Sequence, residues 1–160
     1  MNHVLKNYIG YFDIRLVLSF VLILLTACSD DAKLQPLDSN ATILAFGDSL
    51  TYGTGSSRNK AYPAILKNLI KRKVINAGVP GEISENGLRR LPKLLTSHHP
   101  DLIIICHGGN DILRKLDLTK TQENIQQMID LARNNNTQVV LIGVPAFSLF
   151  LSKVAIYQKL

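Results

Sequence analysis

The chain predicts an α/β domain, a parallel sheet with helices on both faces. Three observations carry this. Short apolar runs at 42–46, 74–76, 102–106 and 139–142 read as strands of a buried sheet. Stretches with helical spacing of apolar residues separate them, giving the order βαβαβαβ, which calls for right-handed crossovers. Polar, glycine-bearing loops follow the first three strands, on the carboxyl edge where open α/β sheets bind ligands.

The first strand, 42–46, runs into Gly47-Asp48-Ser49, a tight turn that places a hydroxyl just past the strand. A Gly/Ser/Asn loop at 53–60 follows. Tyr62-Pro63-Ala64 opens the first long helix, with Pro63 near N1, where its missing N–H costs nothing. Ile65, Leu66, Leu69 and Ile70 form its apolar face, and Lys71-Arg72-Lys73 ends it, where cations suit the dipole. After the second strand comes a loop at 77–82 with Gly78, Pro80 and Gly81. Ser84 is expected to cap the next helix, which carries Leu88, Leu91, Leu94 and Leu95. Pro92 should kink or shorten it.

The third strand is apolar throughout and ends in Cys106, expected as a buried free thiol. A tight loop, His107-Gly108-Gly109-Asn110-Asp111, follows. Thr119 and Gln122 have capping-box spacing for a helix over 119–134, with Ile125, Met128, Ile129 and Ala132 as its buried stripe. Three asparagines, 134–136, break it before the fourth strand. Residues 152–160 read as the opening of another helix.

With 160 residues, 46% of them hydrophobic and 19% charged, the chain has the composition of one globular domain rather than of a disordered segment. The formal charge of +6 is spread out, without aromatic-basic interleaving, so nucleic acid is not an expected partner. Neither Gly-x-Gly-x-x-Gly nor a Gly-Lys-Ser/Thr loop is present, which argues against a nucleotide site. The four His and two Cys lack metal-ligand spacing, and no cofactor is called for.

Residues 1–27 form a leader. Lys6 and Arg15 precede an apolar run at 16–25, and small residues then lead to Cys28. As a helix, 16–28 would span about 20 Å, short of the roughly 30 Å hydrocarbon core. A processed signal is therefore expected. Leu25-Thr26-Ala27-Cys28 resembles the lipobox of bacterial lipoproteins. That resemblance implies cleavage before Cys28, acylation of its thiol, and a lipid anchor in a bacterial cell envelope. Ser29 in second place is compatible with outer-membrane sorting, with the domain facing the periplasm. Residues 28–41 read as a tether and 42–160 as the domain.

Serine-based ester hydrolysis needs a nucleophile, a base and donors for the oxyanion. Ser49 can be the nucleophile. The backbone N–H of Ser49, one in the 78–81 loop, and the Asn110 amide could converge as donors. Gly47-Asp48-Ser49-Leu50, the 76–81 loop, and Gly108-Gly109-Asn110-Asp111 together resemble, in order and spacing, the SGNH or GDSL-type hydrolases. The likeness covers roughly 41–160 and is nearest the arylesterase, thioesterase I and lysophospholipase L1 branch. It implies a flavodoxin-like three-layer α/β/α fold. It also implies Ser49 as nucleophile, Gly81 and Asn110 as oxyanion donors, and small ester, thioester or lysophospholipid substrates.

The family's closing motif, Asp-x-x-His, supplies base and orienting carboxylate. No Asp here has a His three residues on. The expectation is a C-terminally truncated domain, without its last strand and helix, and weakly active or inactive. A tethered, non-catalytic binding domain on the same scaffold is the alternative. His107 lies on the correct sheet edge to be considered as a substitute base; His98 and His99 belong at the opposite edge.

Mass spectrometry of the protein from envelope membranes should find a mature N-terminus at acylated Cys28; an unmodified Cys28 would contradict the lipobox reading.

Overall fold

Apolar runs of this kind form strands because a parallel strand between two neighbours is covered on both faces. The computed structural model describes residues 34–144, which fall within the unit Leu34–Leu160. β1 spans Thr42–Gly47, β2 Lys73–Gly78, β3 Leu102–Cys106 and β4 Gln138–Leu141. Among the described residues every pairing is parallel and the order is β2-β1-β3-β4, so β1 lies between β2 and β3. The register pairs Gly47 with both Gly78 and Cys106. Three loops therefore leave the sheet at one level.

The helices are α1 (Ser49–Tyr52), α2 (Tyr62–Ile70), α3 (Ser84–His98), α4 (Gly109–Leu113) and α5 (Leu118–Asn134), with a 3₁₀ turn at Arg58–Lys60. Alternation along the strands divides the core in two. Leu44, Phe46, Ile103 and Ile105 pack against Leu91 and Leu95 of α3 and against Ile125, Met128, Ile129 and Ala132 of α5. On the other face Ile43, Leu102 and Ile104 meet Leu66 and Ile70 of α2. These are the helix–sheet–helix layers that the sequence implied.

Several local expectations are corrected. Ile65 and Leu69 are 47% and 75% exposed, because α2 turns only its 66/70 edge toward the sheet. Ser84 is the first residue of α3 rather than its cap. Its N–H and hydroxyl instead donate to Asp111 at 2.9 and 2.6 Å, so a carboxylate from another segment satisfies the helix start. Pro92 does not shorten α3, which runs through it. At α5 the cap is Asp117, accepting from Thr119 N at 2.8 Å, in place of the Thr119/Gln122 box. The 107–111 stretch is not all loop, since Gly109 begins α4.

Lys71 ends α2 in a left-handed conformation (φ 53°), and Arg72 donates to the carbonyls of Ile70, Leu37 and Asp38. Residues 34–41, read as the end of a tether, are thus tied to the domain, with Leu37 packed against the α2-side core and Gln35 bonded to Gln138. The leader 1–27, Cys28 and the helix expected at 152–160 lie outside the described residues.

Bare backbone lets α1 settle onto the sheet edge. A Cβ on Gly78 would stand 2.1 Å from Tyr52 N, and one on Gly47 2.2 Å from Thr51 Oγ1 and 2.5 Å from Cys106 O. Gly78→Ala should therefore destabilise the domain by at least about 1–3 kcal/mol, read as a lowered midpoint in chemical denaturation. Wild-type stability would contradict this close contact.

Candidate active site

At the end of β1 the chain turns through Asp48 into α1. The Asp48 carboxylate is buried and accepts from Leu50 N at 3.0 Å, which caps the helix. Ser49 follows as the first helical residue, half-buried. At that position its N–H has no partner within the helix. The Cys106 thiol and the Tyr62 phenol lie beneath this turn, each interacting with Thr51. Burial first, then the charge of Asp48, pushes the thiol up to about 11, and Thr51 opposes this. Burial likewise raises Tyr62 to about 12 against the Thr51 hydrogen bond. Cys106 is a buried free thiol, as its apolar run predicted.

Past β2, Glu82 N donates to Val79 O at 3.2 Å, closing a β-turn with Pro80-Gly81 at its centre. Gly81 has φ +74°, the left-handed value that such a turn takes at its third residue. The turn's own hydrogen bond uses the N–H of Glu82 and leaves that of Gly81 outside it. Gly81 O accepts from Arg114 Nη2 at 2.7 Å, and Val79 N donates back to Gly47 O at 3.0 Å.

Past β3, Gly108 adopts φ +99° to reverse the chain into α4, which carries Asn110 in its first turn. Asn110 Nδ2 donates to Asp48 Oδ2 at 3.2 Å and to Glu82 O at 3.0 Å. One amide thus bridges the neighbours in sequence of Ser49 and Gly81. All three predicted site residues are brought to one place by adjacent loops, and Asp111 at the same time secures the start of α3.

Beneath these loops lie two groups that sequence reasoning missed, Glu82 and Arg90, and one it considered only as a substitute base, His107. Glu82 is 8% exposed and pairs with Arg90 of α3, Nε to Oε1 at 2.7 Å and Nη2 to Oε2 at 2.6 Å. Arg90 Nη2 also reaches Ala77 O at 2.8 Å and Gly47 O at 3.3 Å, and the guanidinium lies 4.3 Å over the Phe46 ring. His107 is fully buried, with Nε2 3.2 Å from Glu82 Oε2 and its ring 5.0 Å from that of Phe46. Gly87 makes room for it: a Cβ there would meet His107 Nε2 at 2.7 Å. Burial opposes ionisation of Glu82, but hydrogen bonds from His107 and Arg90, with their charges, outweigh it and hold the carboxyl below its usual 4.5. A sequence signal did exist, an acid beside the loop glycine and an arginine two turns into the next helix.

His107 is on the expected edge, yet its ring is enclosed by Phe46, Glu82 and the α3 backbone at Gly87. That is a structural setting, not one for a base open to substrate. His98 ends α3 and His99 follows it, ahead of β3 and so at the amino edge.

The GDSL-like lipase/acylhydrolase family matches residues 45–157. The chain is 35% identical over 105 residues to the thioesterase 1/protease 1/lysophospholipase L1 of Escherichia coli K12, a match covering 64% of this chain and 50% of that protein. It is 32% identical over 127 residues to esterase TesA of Pseudomonas aeruginosa, covering 76% and 63%. Among solved structures, the SGNH-hydrolase family esterase AlinE4 superposes with a TM-score of 0.65 at 33% identity, covering 69% of this chain and 62% of that one. The chain spans about half the length of the E. coli relative.

Because its folded value is lowered, Glu82 contributes stability above pH 4.5, and this is lost as pH falls through that lowered value. Glu82→Gln should cost about 1–3 kcal/mol at pH 7, and the gap from wild type should close as pH falls below 4.5. Thermal melts from pH 7 to 3 test this; a gap of constant size contradicts it.

Proposed function

Since the chain belongs to the GDSL-like lipase/acylhydrolase family, we propose that it carries the nucleophile and oxyanion site of a serine-dependent carboxylic-ester hydrolase. Ser49 Oγ attacks the substrate carbonyl and, with no base open to it in these residues, gives up its proton to solvent water, which returns one to the leaving group. The carbonyl oxygen becomes an oxyanion held by the N–H groups of Ser49 and Gly81 and by Asn110 Nδ2. Collapse expels the alcohol or thiol and leaves an acyl group on Ser49, which water then removes. The observation that carries this reading is the Asn110 bridge between Asp48 and Glu82 O. An arriving oxyanion competes for an Asn110 hydrogen now given to those two acceptors.

The substrate classes follow the relatives' names, namely esters, thioesters and lysophospholipids. The base is the weak point of the 160 residues. They contain no Asp-x-x-His, and His107 is enclosed. Without a base a serine site keeps only oxyanion stabilisation and binding, roughly 10³–10⁴ over water. Slow turnover by this chain alone is therefore part of the proposal, as is a lipid anchor at Cys28 that holds it at the outer membrane, facing the periplasm. The enclosure of His107 by Phe46, Glu82 and Gly87 favours a second reading, a tethered domain that binds such substrates without turning them over.

The full chain, assayed on a short-chain p-nitrophenyl ester, should show slow hydrolysis above buffer that Ser49→Ala abolishes. Equal rates in the two proteins would leave the binding reading in place. Fast turnover would overturn the claim that these 160 residues hold no base open to Ser49.

A further inference from the structure

Arg90 meets three separate segments with one guanidinium. It donates to the end of β1 (Gly47 O, 3.3 Å), the end of β2 (Ala77 O, 2.8 Å) and the Glu82 carboxylate (2.7 and 2.6 Å). Gly47 lies two residues before Ser49, and Glu82 directly follows Gly81. The backbone carbonyl of Glu82 holds Asn110 at 3.0 Å. Glu82 therefore grips Arg90 with its side chain and Asn110 with its main chain. His107 closes on Glu82 Oε2 from the far side, and Phe46 fills the space between the His107 ring and the guanidinium.

We propose that Arg90, acting through Glu82, is a positioning residue that sets Gly81 and Asn110 at a fixed distance from Ser49. The proposal rests on the hydrolase reading, since the fixed distance matters to an oxyanion spanning these groups. Only a planar fork can satisfy a carboxylate bidentately and still reach two carbonyls; a lysine ammonium has the charge but not the geometry. Glu82 also has to stay acidic for the full effect, because a neutral amide accepts more weakly from the guanidinium.

The test compares the full chain with Arg90→Lys, Arg90→Met and Glu82→Gln. Arg89→Met is the control, since exposed Arg89 on the same helix bonds only Asn86 among the described residues. Two readouts are taken. Ser49-dependent kcat should fall about tenfold to a hundredfold in both Arg90 variants, less in Glu82→Gln, with KM within about twofold because ground-state binding is untouched. Amide hydrogen exchange at residues 79–83 should quicken about tenfold in the Arg90 variants, while β1, β3 and α5 keep their protection. Arg89→Met should change neither.

If wild type turns over and Arg90→Lys retains its kcat, the proposal is overturned. A uniform loss of protection across β1, β3 and α5 also overturns it, because Arg90 would then serve stability alone. Should wild type show no Ser49-dependent turnover, the hydrolase reading fails and exchange decides: quickening confined to 79–83 supports the clamp, and unchanged exchange there sinks it.

Discussion

The central strand's end, level with its neighbours' ends, is the constraint on which the rest of the structure depends. Gly47 pairs with Gly78 on one side and Cys106 on the other. Three loops then start side by side at one height. The middle loop cannot spread sideways, because β1 is paired along both edges. The bare backbone at Gly47 and Gly78 lets α1 drop onto this edge at distances no side chain allows. Ser49 is placed by that descent.

Crowded loops bury polar groups, and burial is costly unless each finds a partner. Here the partners come from one another. Asp48 accepts from Leu50 N and Asn110, Asn110 also donates to Glu82 O, and the Glu82 side chain takes Arg90. A second set, Asp111 with Ser84 and Thr121, and Asn124 with Ser84, joins α3, α4 and α5 behind the site. A satisfied buried network of this kind holds its members in a single arrangement. An oxyanion site needs the same property, since donors that must reorganise during reaction lose most of their effect.

Much of this was legible in advance. Strand positions follow from short, mainly apolar runs, and the meeting of the loops that carry Ser49, Gly81 and Asn110 follows from strand alternation, which puts loops after parallel strands on one edge. What escaped the sequence depends on contacts between distant segments. Ser84 has a good capping side chain, but Asp111, twenty-seven residues away, takes its N–H and its hydroxyl. Thr119 has box spacing, yet the stronger acceptor Asp117 lies two residues earlier. Ile65 has the helical period of a core residue, but the sheet meets α2 along Leu66 and Ile70. Glu82 and Arg90 look like surface residues because charge in a loop or helix is usually solvated, and His107 looks like a candidate base because it follows β3. Only the assembled edge shows Arg90 and His107 packed against Phe46 and both paired with Glu82.

The central claim is that Ser49 is a nucleophile seated in an oxyanion site. The most direct measurement is peptide mapping by mass spectrometry after slow reaction of the folded full chain with a fluorophosphonate. The account predicts one phosphonyl adduct, on Ser49, lost when the chain is unfolded beforehand. An adduct spread over other serines, or equal labelling of the unfolded chain, would contradict it.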